Sequence, residues 1–187
     1  MISQDDLELL ELIKNPATKD KGFKMLMEKY QRRVYGIIRK IVVIHEDADD
    51  VLQNTFLKAY RNIRKFKEES SLFTWLYRIA TNESLNFLEK KKKYYFLPLT
   101  DHQKVMEDYL DSSPYINGDD IQRSLQKIML KLPEKQRLVF NLKYYEELSY
   151  EEISQITDTS IGALKASYHH AVKKIENHIK TEGIQGL

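Results

Sequence analysis

The chain has 187 residues, enough for one ordinary domain or two small ones, and 42% of them are hydrophobic, enough to build cores. It has no cysteine, which excludes disulfides, thiolate metal sites and cysteine nucleophiles. The net charge of +2 argues little by itself, but residues 96–120 hold 1 basic against 6 acidic side chains while the flanks are mildly basic. That profile suits two modules on a solvated acidic tether. With 6 Gly, 4 Pro and apolar residues recurring at three and four, the expected class is all-α. No apolar run is long enough to span a bilayer, and the acidic start MISQDDLELLELIK does not resemble a signal peptide, so the expected location is cytoplasmic without membrane insertion.

Residues 3–14 form the first expected helix, with Asp5 and Asp6 favourable to its dipole and Asn15-Pro16 ending it. The second, about 22–44, carries Phe23, Leu26, Met27, Tyr30, Val34, Ile37, Ile38 and Ile41 on one side, and the third covers about 46–64. His45, Glu46, Asp47, Asp49 and Asp50 cluster at its start. They lack the alternating ligands and sharp glycine turn of a hard-cation loop, so no metal is expected. A solvated helix start is the plain reading, and a charged docking face made by Asp49, Asp50, Gln53 and Asn54 is the second.

Residues 58–67 then bring five basic residues and no acid, and the loop 65–70 leads to a fourth helix, 72–92, capped by Ser70 or Ser71. SLFTWLYRIATN follows at once. Its aromatics could be core, but interleaved cations and flat apolar rings are also what a single strand needs: charge for phosphates, faces for unstacked bases. Residues 94–120, with two prolines, six acids and an Asn-Gly pair, form the expected linker.

Helices resume from Asp119 or Asp120 to Leu132 and again from Pro133, whose second helix has Leu138, Val139, Leu142 and Tyr145 as its apolar edge. Ser149 and Glu152 have the spacing of a capping box. Asp158-Thr159-Ser160 makes a turn, and from Ile161 the positions Leu164, Tyr168, Ala171, Val172 and Ile175 make one apolar stripe. The other face is slim, with Gly162, Ala163 and Ala166, then basic, with His169, His170 and Lys173. Two helices at a sharp turn, the second slim and polar, form the pattern of a helix-turn-helix whose second helix enters a major groove; a helical hairpin with a solvated face is the plain alternative. Adjacent His169 and His170 cannot grip one ion. Residues 183–187 should fray. No phosphate loop, nucleophile elbow or apolar carboxylate pair is present, so no catalytic residue, and no enzyme, is expected.

The runs DADDVLQNTFLKAYRNIRKF, ESSLFTWLYRIATNESLNFL and LPEKQRLVFNLKYYEELSYEEISQITDTSIGALKASYHHAVKKI, in this order, resemble the extracytoplasmic-function sigma factors of bacterial RNA polymerase. The resemblance implies two small helical domains joined by a flexible linker: 1–95, which binds polymerase core and melts the −10 element; the acidic linker 96–120; and 121–182, which reads the −35 duplex. It implies that Asp47, Asp49, Asp50, Val51, Gln53, Asn54 and Phe56 dock on the polymerase clamp. Arg61, Lys65, Phe66, Lys67, Glu68, Ser70, Ser71, Thr74, Trp75, Tyr77, Arg78 and Asn82 would bind single-stranded −10 DNA, the loop capturing a flipped base. Ser160, Gly162, Lys165, Ala166, His169, His170 and Lys173 would face the −35 duplex. It further implies an anti-sigma partner that masks these surfaces, no cofactor and no ATP.

The chain departs from the family in having Asp158 where Gly is usual, Asn54 where Glu is frequent, and no Arg on the groove-facing part of the last helix. Without Arg, bidentate guanine contacts, each about 1–3 kcal/mol of discrimination, are lost, and groove shape should carry more of the readout. A selection on random duplexes that returned a sharp guanine-rich motif would contradict this. A helix-turn-helix regulator acting without polymerase is the alternative function; it gives the Trp75 segment no task. A purely structural bundle predicts no salt-sensitive affinity for nucleic acid.

Overall fold

A computed structural model of the chain describes residues 3–95, 99–112 and 120–182. Among them every regular element is helical, and the chain divides chiefly at Leu88 and Glu89 into two compact units.

The first unit opens with α1 (Gln4–Lys14) and α2 (Lys19–Val42). Ser3 caps α1 by accepting from the Asp6 N–H at 3.2 Å, and Thr18 Oγ1 donates to the Leu12 carbonyl at 2.8 Å to close the turn between the helices. α2 begins three residues before Gly22, so that glycine is not a helix start. A Cβ there would lie 2.8 Å from the Leu12 Cβ, and the missing side chain lets α1 approach. Leu9, Leu10 and Ile13 of α1 are buried with Leu26, Val34, Ile37 and Ile38 of α2. Each fully buried side chain of this kind contributes about 1.5–3 kcal/mol relative to exposure. α3 (His45–Asn62) follows after Val43, which holds φ 69°, then a 3-10 turn (Ile63–Lys65) and α4 (Leu72–Tyr95), of which the part up to Leu88 belongs to this unit. Ser71 supplies the α4 cap expected at 70 or 71: its Oγ accepts from the Thr74 N–H at 3.0 Å.

The second unit holds α5 (Leu99–Ser112), α6 (Asp120–Leu130), α7 (Glu134–Phe140), which continues as a π turn (Asn141–Tyr145), α8 (Tyr150–Thr157) and α9 (Ile161–Glu182). Ile128, Met129, Leu132, Phe140, Ala171 and Ile175 form its core, with Leu125, Tyr168, Val172 and Ile179 packed against them.

Two expectations change. The segment 96–120 is not linker throughout, because 99–112 is helical. Met106 and Leu110, one turn apart, are buried, and Asp111 pairs with Lys127 of α6 at 2.6 Å. Its exposed acids hid that pair of apolar positions from a compositional reading. The expected stretches 96–98, 113–119 and the fraying tail 183–187 lie outside the described residues. Second, Tyr145 is less covered than the rest of its expected apolar edge: Leu138, Val139 and Leu142 are buried, but Tyr145 is 38% exposed. The helix ends there in a π turn, and the rings of Tyr144 and Tyr145 lie against Phe140, with centroids 5.0 and 6.1 Å away.

Candidate nucleic-acid interface

On α4 the register decides which side chains can meet a ligand. Trp75, Arg78 and Asn82, spaced by three and four, fall within an arc of about 60° on the helix. Arg78 and Asn82 are exposed and Trp75 is half-buried, and exposed Asn86 extends the same stripe. The opposite side is sealed: Leu76, Tyr77, Ala80 and Ser84 are all at 0% exposure. Tyr77 is therefore turned away from the side where the resemblance had it bind −10 DNA; its hydroxyl donates to the Arg33 carbonyl at 3.2 Å and its ring centroid lies 4.0 Å from that of Phe73. Thr74 is likewise buried, with its hydroxyl 2.7 Å from Ser71 Oγ, and serves the helix cap. Both lose their expected contact role because the core face of α4 claims them.

Phe66 is also buried, with its ring centroid 5.4 Å from that of Trp75, so it braces the indole from below. Between Phe66 and Ser71 the loop presents Lys67, Glu68 and Glu69 to solvent, with Ser70 half-buried. Glu68 takes a left-handed φ of 62° and pairs with Lys14 at 2.5 Å. Arg61 and Lys65 are exposed at the end of the preceding elements. The aromatic ring, the cations and the open loop thus share one region of the first unit. Arg33, whose guanidinium lies 3.8 Å from the Phe73 ring centroid, adds an exposed cation at the root of α4 that periodicity had not flagged.

The acidic start of α3 is a different surface. Asp49, Asp50, Gln53 and Asn54 are exposed and Asp47 is half-buried, while Val51 and Phe56, expected on the docking face, are at 1% and 4% exposure. Val51 points into the core and positions the helix. Phe56 instead floors an open groove of about 430 Å³ between α2 and α3, lined also by Met27, Gln31, Leu52, Gln53, Leu57 and Tyr60. Leu57, 53% exposed, is the apolar lip that the sequence reading missed. His45 hydrogen-bonds to Tyr35 through Nδ1, and its Nε2 lies 3.7 Å from Asp49. Among the described residues no three histidines or carboxylates gather to hold a metal.

In the second unit all seven residues assigned to the groove-facing side, Ser160, Gly162, Lys165, Ala166, His169, His170 and Lys173, are exposed. Leu164 and Ala171 on the other side are at 1% and 0%. The capping box forms as spaced: the Ser149 N–H donates to Glu152 Oε2 at 2.9 Å and the Glu152 N–H to Ser149 Oγ at 3.2 Å. Asp158 takes the left-handed turn position, at φ 54°, without glycine. Tyr150, unflagged by the sequence reading, is flanked by two cations, with Lys143 Nζ 5.1 Å and Lys165 Nζ 5.7 Å from its ring centroid. No helix among the described residues is long and apolar enough to cross a membrane.

Known proteins bear the same two regions. The sigma-70 region 2 pattern matches residues 26–94, and the sigma-70 region 4 pattern matches 122–175. The chain is 30% identical over 167 residues to the ECF RNA polymerase sigma factor SigW of Bacillus subtilis, covering 85% of this chain and 89% of that protein. It is 32% identical over 170 residues to the ECF RNA polymerase sigma-E factor of Haemophilus influenzae, covering 86% and 88%. Its fold resembles the sigma factor RpoE of Bartonella quintana, solved with the anti-sigma factor NepR (TM-score 0.67, 20% identity, 86% of this chain and 98% of that one). It also resembles CnrH, solved with the cytosolic domain of CnrY (TM-score 0.69, 17% identity, 96% and 99%).

Proposed function

Because the chain belongs to the extracytoplasmic-function sigma factors and so directs RNA polymerase to promoters, we propose how its own residues divide that work between 1–95 and 121–182. The observation that carries the reading is the α4 stripe, where exposed Arg78 and Asn82 flank half-buried Trp75 next to the 66–71 loop and the cations that precede it, while the opposite side of the helix is sealed.

In the first unit, polymerase core docks on the acidic edge Asp47, Asp49, Asp50, Gln53 and Asn54, and an apolar side chain of the clamp enters the groove between Phe56 and Leu57. The −10 strand then lies along Arg61, Lys65, Lys67, Arg78 and Asn82, with one unpaired base stacked on Trp75 and another taken up by the loop of Glu68, Ser70 and Ser71. Unpairing costs a few kcal/mol per base, and stacking returns about 1–3 kcal/mol for each base held, so opening needs neither ATP nor any cofactor. In the second unit, α9 enters the −35 major groove on its small residues Gly162 and Ala166, which allow close approach. Lys165, His169, His170 and Lys173 then reach the phosphates and base edges. This work takes place in the cytoplasm, and the chain acts as a regulatory subunit without catalysis of its own.

Run-off transcription with purified core polymerase tests the reading. The chain should start transcripts from a promoter that core alone ignores; a regulator acting without polymerase would start none. A partner that masks these surfaces is also part of the proposal, because the similar solved proteins RpoE and CnrH are held in complexes with NepR and CnrY. Affinity capture of the chain from its cells should bring down one such protein; polymerase subunits alone would count against it.

A further inference from the structure

Resting on the reading of residues 66–71 as the loop that takes up an unpaired base, we infer that α1 is a brace for that loop and that Lys14 is a positioning residue for base selection. α1 lies outside the stretch 26–94 that matches sigma-70 region 2, yet it reaches the middle of the loop.

The loop is anchored at both ends within its own neighbourhood. Phe66 is buried beside Trp75, and Ser71 is fixed by its bonds to Thr74 and by the Trp75 N–H, which donates to the Ser71 carbonyl at 3.1 Å. Between the anchors the chain must turn, and it does so with Glu68 in the left-handed region, a conformation that a residue with a Cβ keeps only where its surroundings impose it. Lys67 and Glu69, on either side, are exposed and make no ion pair among the described residues. The contact of Lys14 Nζ with Glu68 Oε1 at 2.5 Å is what ties this turn to the rest of the unit.

Lys14 is well placed to hold. It sits in the last turn of α1, where a cation suits the helix dipole. α1 itself cannot slide: Asp6 is bonded to Tyr30 at 2.7 Å and Lys29 at 2.9 Å, and Gly22 admits its far end. Both partners of the Lys14–Glu68 pair are substantially exposed, at 57% and 37%, so the pair adds little to global stability. Its consequence is local: it selects one geometry for the loop that takes up the base.

The test uses holoenzyme reconstituted from core polymerase and the full chain, on promoters that differ only in the captured −10 base. The readout is the ratio of open-complex formation rates between the best and the next base. Lys14→Ala should lower that ratio about two- to five-fold, the range an exposed ion pair can supply, with core affinity and thermal midpoint unchanged. Lys14→Arg should keep the wild-type ratio. An unchanged ratio in Lys14→Ala, or a Lys14→Arg variant as impaired as the alanine one, overturns the brace. Trp75→Ala runs alongside: if it opens all promoters like wild type, the reading of the loop fails and the brace with it. If Trp75→Ala slows opening while Lys14→Ala keeps the ratio, the brace alone is wrong.

Discussion

Asp6 shows how one carboxylate can set the position of a helix. Burial pushes its carboxyl upward, but the hydrogen bonds from Tyr30 and Lys29 and the Lys29 charge outweigh that and hold it below the ordinary value of 3.8. A carboxyl depressed in the folded state stabilises the fold fully above its unfolded value, and loses that contribution as pH falls through the folded value. Asp6→Asn should therefore cost about 1.5 kcal/mol at pH 7, and the gap from wild type should close as pH drops below about 3.8. Thermal unfolding of both proteins at pH 7 and pH 3 checks this; a gap that is the same at both values would show that the charge does not matter. Residue identity alone did not disclose this role, because Asp6 read equally well as a solvated first-turn acid. Tyr77 and Thr74 were misplaced for a related reason. α4 is apolar or aromatic on several sides of its first turns, so periodicity could not say which rings face the core.

At the scale of elements, the second unit was the most legible. The stripe of Leu164, Ala171 and Ile175 and the Ser149–Glu152 box each specify local structure through spacing alone, and both formed. Removing the cap with Ser149→Ala frees the Glu152 N–H and should lower stability by about 1 kcal/mol, read as a fall in thermal midpoint of the chain. No change in midpoint would mean that α8 is held by packing only. α5 was illegible because its charge outweighed two buried positions, and the π turn because nothing in NLKYY distinguishes it from an ordinary helical turn. The groove between α2 and α3 depends on two helices lying side by side. Leu57 on its rim reads in sequence as one more exposed apolar residue.

For the whole molecule, net charge conceals the design. A charge of +2 spread evenly would steer nothing, whereas here acids gather at the start of α3 and cations gather around the 66–71 loop and along the outer side of α9. One chain can thus offer a negative face to a protein and positive faces to DNA. The central claim is that the Trp75 stripe holds unpaired −10 bases while core polymerase is bound. Permanganate reactivity of −10 thymines, with core polymerase and the full chain on a cognate promoter, measures that most directly. The wild-type chain should expose those thymines, and Trp75→Ala combined with Arg78→Ala should cut the signal at least about ten-fold without loss of core binding. Equal reactivity with the double variant, or none with the wild type, would contradict the account.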